Sequence, residues 1–170
     1  MSTPSDNMPP GGTWPDLAGR IEGQVHKLPI RVYYEDTDFS GIVYHANYLR
    51  FAERGRSDFL RLAGVHHTSL FEGEDPVAFA IRRMEMDFLK PARIDDRLEV
   101  HTRYVRASGA RIDARQVIWQ LAGTCAPQAL CQADVFAAVL DTRGRPRRLP
   151  VYVRDALAPF VSVPGAGEGA

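Results

Sequence analysis

The stretch RVYYEDTDFSGIVYHANYLR, from Arg31 to Arg50, carries most of the information about the fold of this chain. Its first residues are mostly β-branched or aromatic, which predicts a strand that ends just before two aspartates. The second aspartate, Asp38, is followed by a glycine turn at Gly41, and a helix is predicted to begin near His45. The order of these elements predicts a carboxylate between the end of a strand and the start of a helix.

That carboxylate would lie beside the free N–H groups of the first helical turn. These groups are at the positive end of the helix dipole, so they can polarise the carbonyl of a bound substrate. Asp38 would then lie next to the carbon that becomes electrophilic, which predicts an acyl-transfer site. An isolated aspartate before a glycine is usually a turn or capping residue, so the assignment depends on the whole stretch.

Two further carboxylates, Glu35 and Asp36, belong to the same stretch, and structural or solvated roles are expected for both. If the extended backbone continued, Asp36 and Asp38 would lie on the same side of it. Carboxylates and imidazole are common metal ligands, but the spacing of Asp36, Asp38 and His45 matches no metal motif. We therefore expect no metal ion and no other cofactor.

The one strong helical pattern runs over residues 46–63. Its apolar positions fall three or four residues apart and form one face: Tyr48, Phe51, Ala52, Gly55, Phe59 and Leu62. Gly64 is in the position of a C-terminal helix glycine. A mid-helix glycine costs about 1 kcal/mol relative to alanine, so Gly55 indicates a close approach of the helix to a sheet.

The strand predictions follow the helix and cover residues 79–89, 97–106, 110–121 and 129–140. A hairpin is expected at residues 107–109, a turn at 142–144 and a short closing helix at 150–158. One strand, one long helix and then antiparallel strands is an α+β order, which a sheet wrapped around one helix satisfies.

Composition predicts one domain in a chain of 170 residues. Residues 1–26 are rich in Pro, Gly and small polar side chains and are expected to form a disordered leader, with a domain at 27–158 and a flexible tail at 159–170.

The formal net charge is zero and no basic run is present, so nucleic acid is not an expected partner. The two cysteines, Cys125 and Cys131, show no disulfide framework or zinc spacing. The absence of a signal peptide pattern and of an apolar membrane-length stretch predicts a cytoplasmic location.

Several segments of the chain resemble the 4-hydroxybenzoyl-CoA thioesterase family of hotdog-fold thioesterases. They are RVYYEDTD, GIVYHANYL at Gly41–Leu49, FAERGR at 51–56 and FLKPARIDD at 88–96. The match is to the Tol–Pal-associated acyl-CoA thioesterase subgroup, the YbgC type, and it continues more weakly to about Leu157. The resemblance implies an antiparallel sheet wrapped around one long central helix.

The resemblance also implies roles for individual residues. Asp38 occupies the position of the catalytic aspartate, and His45 occupies the position whose backbone N–H polarises the thioester carbonyl. A direct role for the His45 imidazole is left open, because histidine titrates near neutral pH. Four residues are expected to order this turn or to line a substrate pocket: Gly41, Tyr44, Asn47 and Tyr48.

Two positions outside this stretch are relevant to substrate binding. Arg106 aligns with a basic position that helps to hold the nucleotide end of coenzyme A, and guanidinium suits phosphate. Its neighbours are Ala107 and Ser108, where the related enzyme is more basic. Another branch of hotdog thioesterases places its carboxylate on the central helix, but Glu53 is predicted to belong to a charged face with i,i+3 pairing.

The leading hypothesis is an acyl-CoA thioesterase in which Asp38 activates water or attacks the substrate. The expected substrate is acyl-CoA, with acyl carrier protein as a possible second carrier. A homo-oligomer, either a dimer or a tetramer, and a Tol–Pal-linked or membrane-lipid context follow from the resemblance. Two alternatives stay open: a hotdog hydratase or dehydratase, and a non-catalytic acyl-binding scaffold.

Overall fold

A computed structural model describes residues 18–73, 76–121 and 126–161. In these ranges six strands form one antiparallel sheet: β1 (Arg20–Glu22), β2 (Val25–Arg31), β3 (Val77–Phe88), β4 (Arg97–Ser108), β5 (Arg111–Gln120) and β6 (Gln128–Asp141). The helices are α1 (His45–Leu62), α2 (His67–Glu72) and α3 (Val151–Leu157), with short 3-10 turns at Tyr34–Asp36 and Ala158–Phe160. The sheet packs on α1, so the predicted α+β arrangement is confirmed.

The strand order across the sheet is β1-β2-β4-β5-β6-β3, and every neighbouring pair is antiparallel. Strands β3 to β6 lie where the sequence predicts them, with ends that differ by at most two residues. The β4–β5 hairpin turns at Gly109, whose φ of 60° is the left-handed conformation that glycine adopts without strain. Strand β3 forms an edge of the sheet and pairs only with β6 among the described residues.

Secondary structure is present before residue 27, the predicted start of the domain. Strand β1 lies inside the predicted leader and pairs with β2 through a turn at Gly23, whose φ is 60°. The Gly19 N–H donates a hydrogen bond of 2.7 Å to the Asp58 carboxylate, which ties this hairpin to α1. At the other end, the 3-10 turn Ala158–Phe160 extends past the predicted boundary. Residues 1–17 and 162–170 lie outside the described ranges.

Helix α1 packs closely against the sheet at its glycine. A Cβ atom added to Gly55 would lie 2.9 Å from both Val100 Cγ1 and Thr102 Oγ1, a distance at which neighbours must shift. The close approach predicted from Gly55 is therefore present. The helix ends one residue earlier than predicted, and Gly64 follows it with a φ of 85°. None of the helices in the described ranges is both long and apolar enough to cross a membrane.

Candidate active site

The loop between β2 and α1 carries Asp38, but not at the strand end. Strand β2 stops at Arg31 and a 3-10 turn follows it, so Asp38 lies seven residues beyond the strand. An antiparallel bridge between Thr37 and Val43 then closes a tight turn. Within this turn the Gly41 N–H donates to the Asp38 carbonyl at 2.9 Å, and Gly41 has a φ of 74°. The predicted glycine turn is therefore what presents Asp38.

Asp36 has a different environment from Asp38. Its side chain is buried, and its carboxylate accepts a 2.9 Å hydrogen bond from the Tyr33 N–H. Its carbonyl accepts the Tyr44 N–H and the Asn47 Nδ2–H, each at 2.9 Å. The extended backbone does not continue through this turn, so the two aspartates do not share one face. Asp36 ties the loop to the start of α1.

The Asp38 carboxylate is exposed and accepts two hydrogen bonds from Ser40. The Ser40 N–H donates to Oδ1 at 2.8 Å, and the Ser40 hydroxyl donates to the same oxygen. These bonds hold the pKa of Asp38 below its usual value, with a smaller contribution from the nearby His45. Oδ2 has no hydrogen-bond partner in the described part of the protein. The carboxylate is therefore ionised at neutral pH and has an oxygen free to accept a proton.

Helix α1 begins at His45, and no side chain caps its first turn. The Asn47 N–H bonds to the Tyr44 carbonyl at 2.8 Å. The N–H groups of His45 and Ala46 have no acceptor inside the helix, as is usual for the first helical residues. They remain available to an oxygen atom of a ligand, and the helix dipole favours negative charge there.

A cleft of about 370 Å³ brings the loop and the helix start together. Three predicted site residues line it: Asp38, His45 and Tyr48. Its other wall comes from the end of β3 and the segment after it: Phe88, Leu89 and Lys90. The stretch FLKPARIDD carries part of the family resemblance, yet the sequence reasoning did not assign its first residues to the site. That resemblance is the signal that could have placed them there.

The remaining predicted residues order the turn or lie elsewhere. Asn47 is buried, and in addition to its bond to Asp36 it accepts a 3.0 Å hydrogen bond from Arg50. The Tyr44 ring lies 4.4 Å from the His45 ring and is partly exposed, but it does not line the cleft. Asn47 and Tyr44 therefore shape the helix start, whereas Tyr48 lines the cleft itself.

Arg106 does not line the Asp38 cleft. It is exposed near the far end of β4, where its Nε donates to the Ser108 hydroxyl at 3.2 Å. At roughly 3.3 Å per residue, Arg106 lies about 30 Å along β4 from Arg97, the residue that pairs with the end of β2. Contact with a substrate would therefore involve a part of the ligand that is distant from the reacting bond.

A second cavity of about 260 Å³ lies between α1, α2 and the sheet. Glu53 is on its wall, where it forms the predicted i,i+3 ion pair with Arg56 at 2.5 Å and accepts the Ser57 hydroxyl at 2.8 Å. Both carboxylate oxygens of Glu53 are thus bonded within the helix. The remaining wall is mostly apolar, with residues such as Leu60, Phe79 and Val135.

Over residues 18–73, 76–121 and 126–161, no set of three or more His, Cys, Asp or Glu side chains is placed to hold a metal ion. Cys131 is buried, and burial raises the pKa of its thiol to about 12, so the thiol stays protonated. Cys125 lies outside the described ranges.

Comparison with known proteins identifies related chains. The sequence pattern of the thioesterase superfamily matches residues 40–126. The acyl-CoA thioester hydrolase YbgC of Escherichia coli is 38% identical over 125 residues, which cover 73% of this chain and 89% of that protein. The crystal structure of a probable thioesterase from Bartonella henselae has 46% identity and a TM-score of 0.67, covering 74% of this chain and 99% of that one.

A more distant structure supports the fold alone. A 4-hydroxybenzoyl-CoA thioesterase mutant crystallised with 4-hydroxybenzoyl-CoA superposes with a TM-score of 0.73 at 17% identity, over 78% of this chain and 98% of that one. Its likeness, together with the superfamily match, confirms the predicted hotdog arrangement of one antiparallel sheet around one long helix.

Proposed function

The chain belongs to the thioesterase superfamily, and from this membership we propose how its cleft hydrolyses a thioester. The predicted enzyme class, an acyl-CoA thioesterase, is confirmed by relatives with that activity in their names at 38–50% identity. The substrate is thus a thioester of coenzyme A, and the products are a carboxylic acid and the free thiol. The roles of individual residues in this reaction are our proposal.

One observation carries the assignment. An ionised carboxylate with a free oxygen and the uncapped N-terminus of an 18-residue helix line the same cleft. The helix N–H groups at His45 and Ala46 can donate to the thioester carbonyl oxygen as it becomes negative. Donors that are already oriented toward that oxygen need no reorganisation during the reaction, which is the main source of such stabilisation.

Asp38 brings about the attack on the carbonyl carbon in one of two ways. As a general base it removes a proton from a water molecule, and the water oxygen bonds to the carbonyl carbon. As a nucleophile it forms a mixed anhydride with the acyl group, and water then hydrolyses that anhydride. In both routes the carbon–sulfur bond breaks and the thiolate leaves with the bonding electrons. Thiols have a pKa near ~8.5, so the departure needs little acid assistance.

The His45 side chain also lines the cleft, with its ring 6.4 Å from the Phe88 ring. We assign the main contribution of this residue to its backbone N–H, which any side chain would keep. The imidazole remains a second candidate for proton transfer, and a variant that removes only the ring separates the two roles.

The site is proposed to be completed by a second copy of the chain. Strand β3 leaves a 12-residue edge without a partner in the described ranges, and Ile81 and Phe88 on it are half exposed. If two β3 strands paired antiparallel about their midpoints, Phe88 of one copy would lie beside Val77 of the other. The Asp38 cleft, which Phe88 lines, would then face the start of the neighbour's β3, from Val77 toward Phe79. A dimer is the minimum assembly in this proposal, and a tetramer is the further expectation.

Other expectations from the resemblance remain proposals. Arg106 would hold the nucleotide end of coenzyme A, far from the reacting bond. Acyl carrier protein would be a second carrier, because its thioester is chemically the same. A Tol–Pal-linked or membrane-lipid context belongs to the same set. The cytoplasmic location, which was expected from the sequence pattern alone, is likewise a proposal.

The direct test is turnover of a panel of acyl-CoA substrates with detection of free thiol. Release of thiol by the wild-type chain, and its loss in Asp38→Asn, is the expected result. A hydratase or dehydratase would change the acyl group without releasing thiol, and a scaffold protein would bind acyl-CoA without turnover. Either outcome would contradict the proposal.

A further inference from the structure

Tyr48 lies in the wall of the Asp38 cleft. Its ring is on the buried face of α1 and only 3% of the residue is exposed, yet it lines the cleft. The ring of Phe88, from the opposite wall, meets it edge-on at 5.6 Å between centroids. Family resemblance suggested only that Tyr48 orders the turn or lines a pocket, so the chemistry of its hydroxyl needs a separate account.

The hydroxyl oxygen already accepts one hydrogen bond. The N–H of Ala92, a fully buried residue, donates to it at 2.9 Å, while the Ala92 carbonyl accepts the Val43 N–H at 2.9 Å. These two bonds fix the position of the oxygen relative to the loop that carries Asp38. The first of these bonds uses the hydroxyl as an acceptor and leaves its own proton to be donated.

That proton has no acceptor among the residues the structure describes. A buried hydroxyl that donates to nothing is unfavourable, and polar groups in this position are normally satisfied by protein, water or ligand. The burial of the ring also raises the pKa of Tyr48, so the phenol stays neutral and keeps its proton. Tyr48 is thus a fixed, neutral donor beside the cleft.

The location of Tyr48 relative to His45 indicates its target. The two residues are three apart on α1, so their side chains are neighbours on one face of the helix. Long helical side chains also lean toward the helix N-terminus, which carries the phenol toward the first-turn N–H groups. Both kinds of donor therefore converge on the region that the thioester carbonyl occupies in the proposed function.

We propose that the Tyr48 hydroxyl is a second donor to the carbonyl oxygen of the thioester, acting together with the N–H groups at the start of α1. This assignment rests on the proposed function of the Asp38 cleft and makes Tyr48 a catalytic residue.

The test compares two substrates that differ in the carbonyl oxygen only. The first is the acyl-CoA that the wild-type chain hydrolyses fastest, and the second is its dithioester, in which sulfur replaces that oxygen. Thiocarbonyl sulfur is a weak hydrogen-bond acceptor, so a lost donor slows the normal thioester far more. For Tyr48→Phe we expect kcat on the thioester to fall about 10²-fold, as for loss of one oxyanion donor, with a much smaller change on the dithioester.

Tyr104→Phe is the matched control, because Tyr104 is also buried and its hydroxyl donates to the Arg56 carbonyl at 3.3 Å. It does not line the Asp38 cleft. Loss of its hydroxyl should lower stability while leaving the ratio of thioester to dithioester rates at the wild-type value. If Tyr104→Phe changed that ratio as much as Tyr48→Phe does, the cause would be a general loss of packing in the protein. That result would overturn the proposal.

Phenylalanine at position 48 also removes the oxygen that accepts the Ala92 N–H, so a second variant keeps this oxygen. Tyr48→3-fluorotyrosine retains the oxygen and lowers the phenol pKa, so kcat on the thioester should fall at alkaline pH where the wild-type rate does not. Unchanged rate ratios in Tyr48→Phe, or no alkaline loss in the fluorinated protein, would contradict the proposal. If the wild-type chain releases no thiol at all, the proposed function fails instead, which distinguishes the two failures.

Discussion

The Ser40 N–H donates a 2.8 Å hydrogen bond to Oδ1 of Asp38, and the Ser40 hydroxyl donates to the same oxygen. Both bonds favour the ionised carboxylate, so they lower its pKa and leave Oδ2 as the free proton acceptor. A general base must be deprotonated to act, and this turn keeps Asp38 in that form well below neutral pH. The serine is therefore part of how the loop prepares the carboxylate.

Asp38→Asn should reduce kcat by at least ~10²-fold while the fold is kept, because the amide cannot accept the proton from water. Thiol release from the best acyl-CoA and thermal unfolding are the two measurements. Glu35→Gln, an exposed carboxylate of the same loop, is the matched control and should retain activity. If the Asp38→Asn protein kept most of its activity, Asp38 would not be part of the mechanism.

Asp36→Asn should cost less activity than Asp38→Asn. Asp36 is buried and its carboxylate accepts the Tyr33 N–H, a bond that an asparagine oxygen can also accept. Its effect should appear mainly as a lower melting temperature. Equal losses of activity in folded Asp36→Asn and Asp38→Asn proteins would indicate a carboxylate pair or a metal site. Loss of activity after a chelator is added would then indicate the metal site.

Ser40→Ala should move the acid limb of the pH–rate profile to higher pH. Removing the hydroxyl bond raises the pKa of Asp38 toward its ordinary value, so a larger fraction of the base is protonated at acidic pH near that value. The shift should be partial, because the Ser40 N–H remains. The measurement is kcat/KM against pH, and an unchanged acid limb would show that another group sets it.

His45→Ala should retain activity within about 10-fold of wild type, since alanine keeps the backbone N–H and the helix start. A general acid–base role of the imidazole would instead cost ~10²- to 10⁴-fold. The kcat at saturating substrate decides between these ranges. A loss in the larger range, with substrate binding intact, would assign proton transfer to the ring itself.

Arg106→Ala should raise KM for acyl-CoA about 5-fold with kcat unchanged, the factor that an exposed ion pair of roughly 1 kcal/mol supports. An acyl-N-acetylcysteamine thioester lacks the nucleotide, so its KM should not change. Arg103→Ala, an exposed arginine of the same strand, is the matched control. Equal effects on KM for both substrates would show that Arg106 does not bind the phosphates of coenzyme A.

The chain should sediment as a dimer or tetramer at micromolar concentration. The outer edge of β3, which has no partner strand among the described residues, and its half-exposed Ile81 and Phe88 provide the expected contact. Ile81→Lys should weaken assembly and activity together if the neighbouring subunit completes the site. A stable monomer with full activity would contradict both the assembly and the shared site.

Local signals in the amino-acid sequence were enough to predict the main elements of the fold. Helix α1 was predicted because its apolar residues repeat every three or four positions, and its end because a glycine, Gly64, follows them and adopts a positive φ. Strands β3 to β6 were predicted from alternating or apolar runs, with turns expected at Gly109 and Gly144. The segments from Arg31 to Arg50 and from 88 to 96 also carried the family resemblance, which named Asp38 and His45.

Other features depend on contacts between residues that are distant in the sequence. The three-residue strand β1 is too short to show a pattern, and it forms because β2 pairs with it and α1 binds Gly19. Asp36 and Asp38 diverge because the buried Asn47 side chain holds the Asp36 carbonyl, which no sequence period reveals.

The cleft itself shows the same dependence. Phe88, fifty residues after Asp38, reaches the cleft because β3 ends beside the start of α1. The Tyr48 hydroxyl is oriented by the Ala92 N–H, which comes from the segment between β3 and β4. Local sequence specifies which groups are present, whereas the distances between them are set only when the sheet packs on the helix.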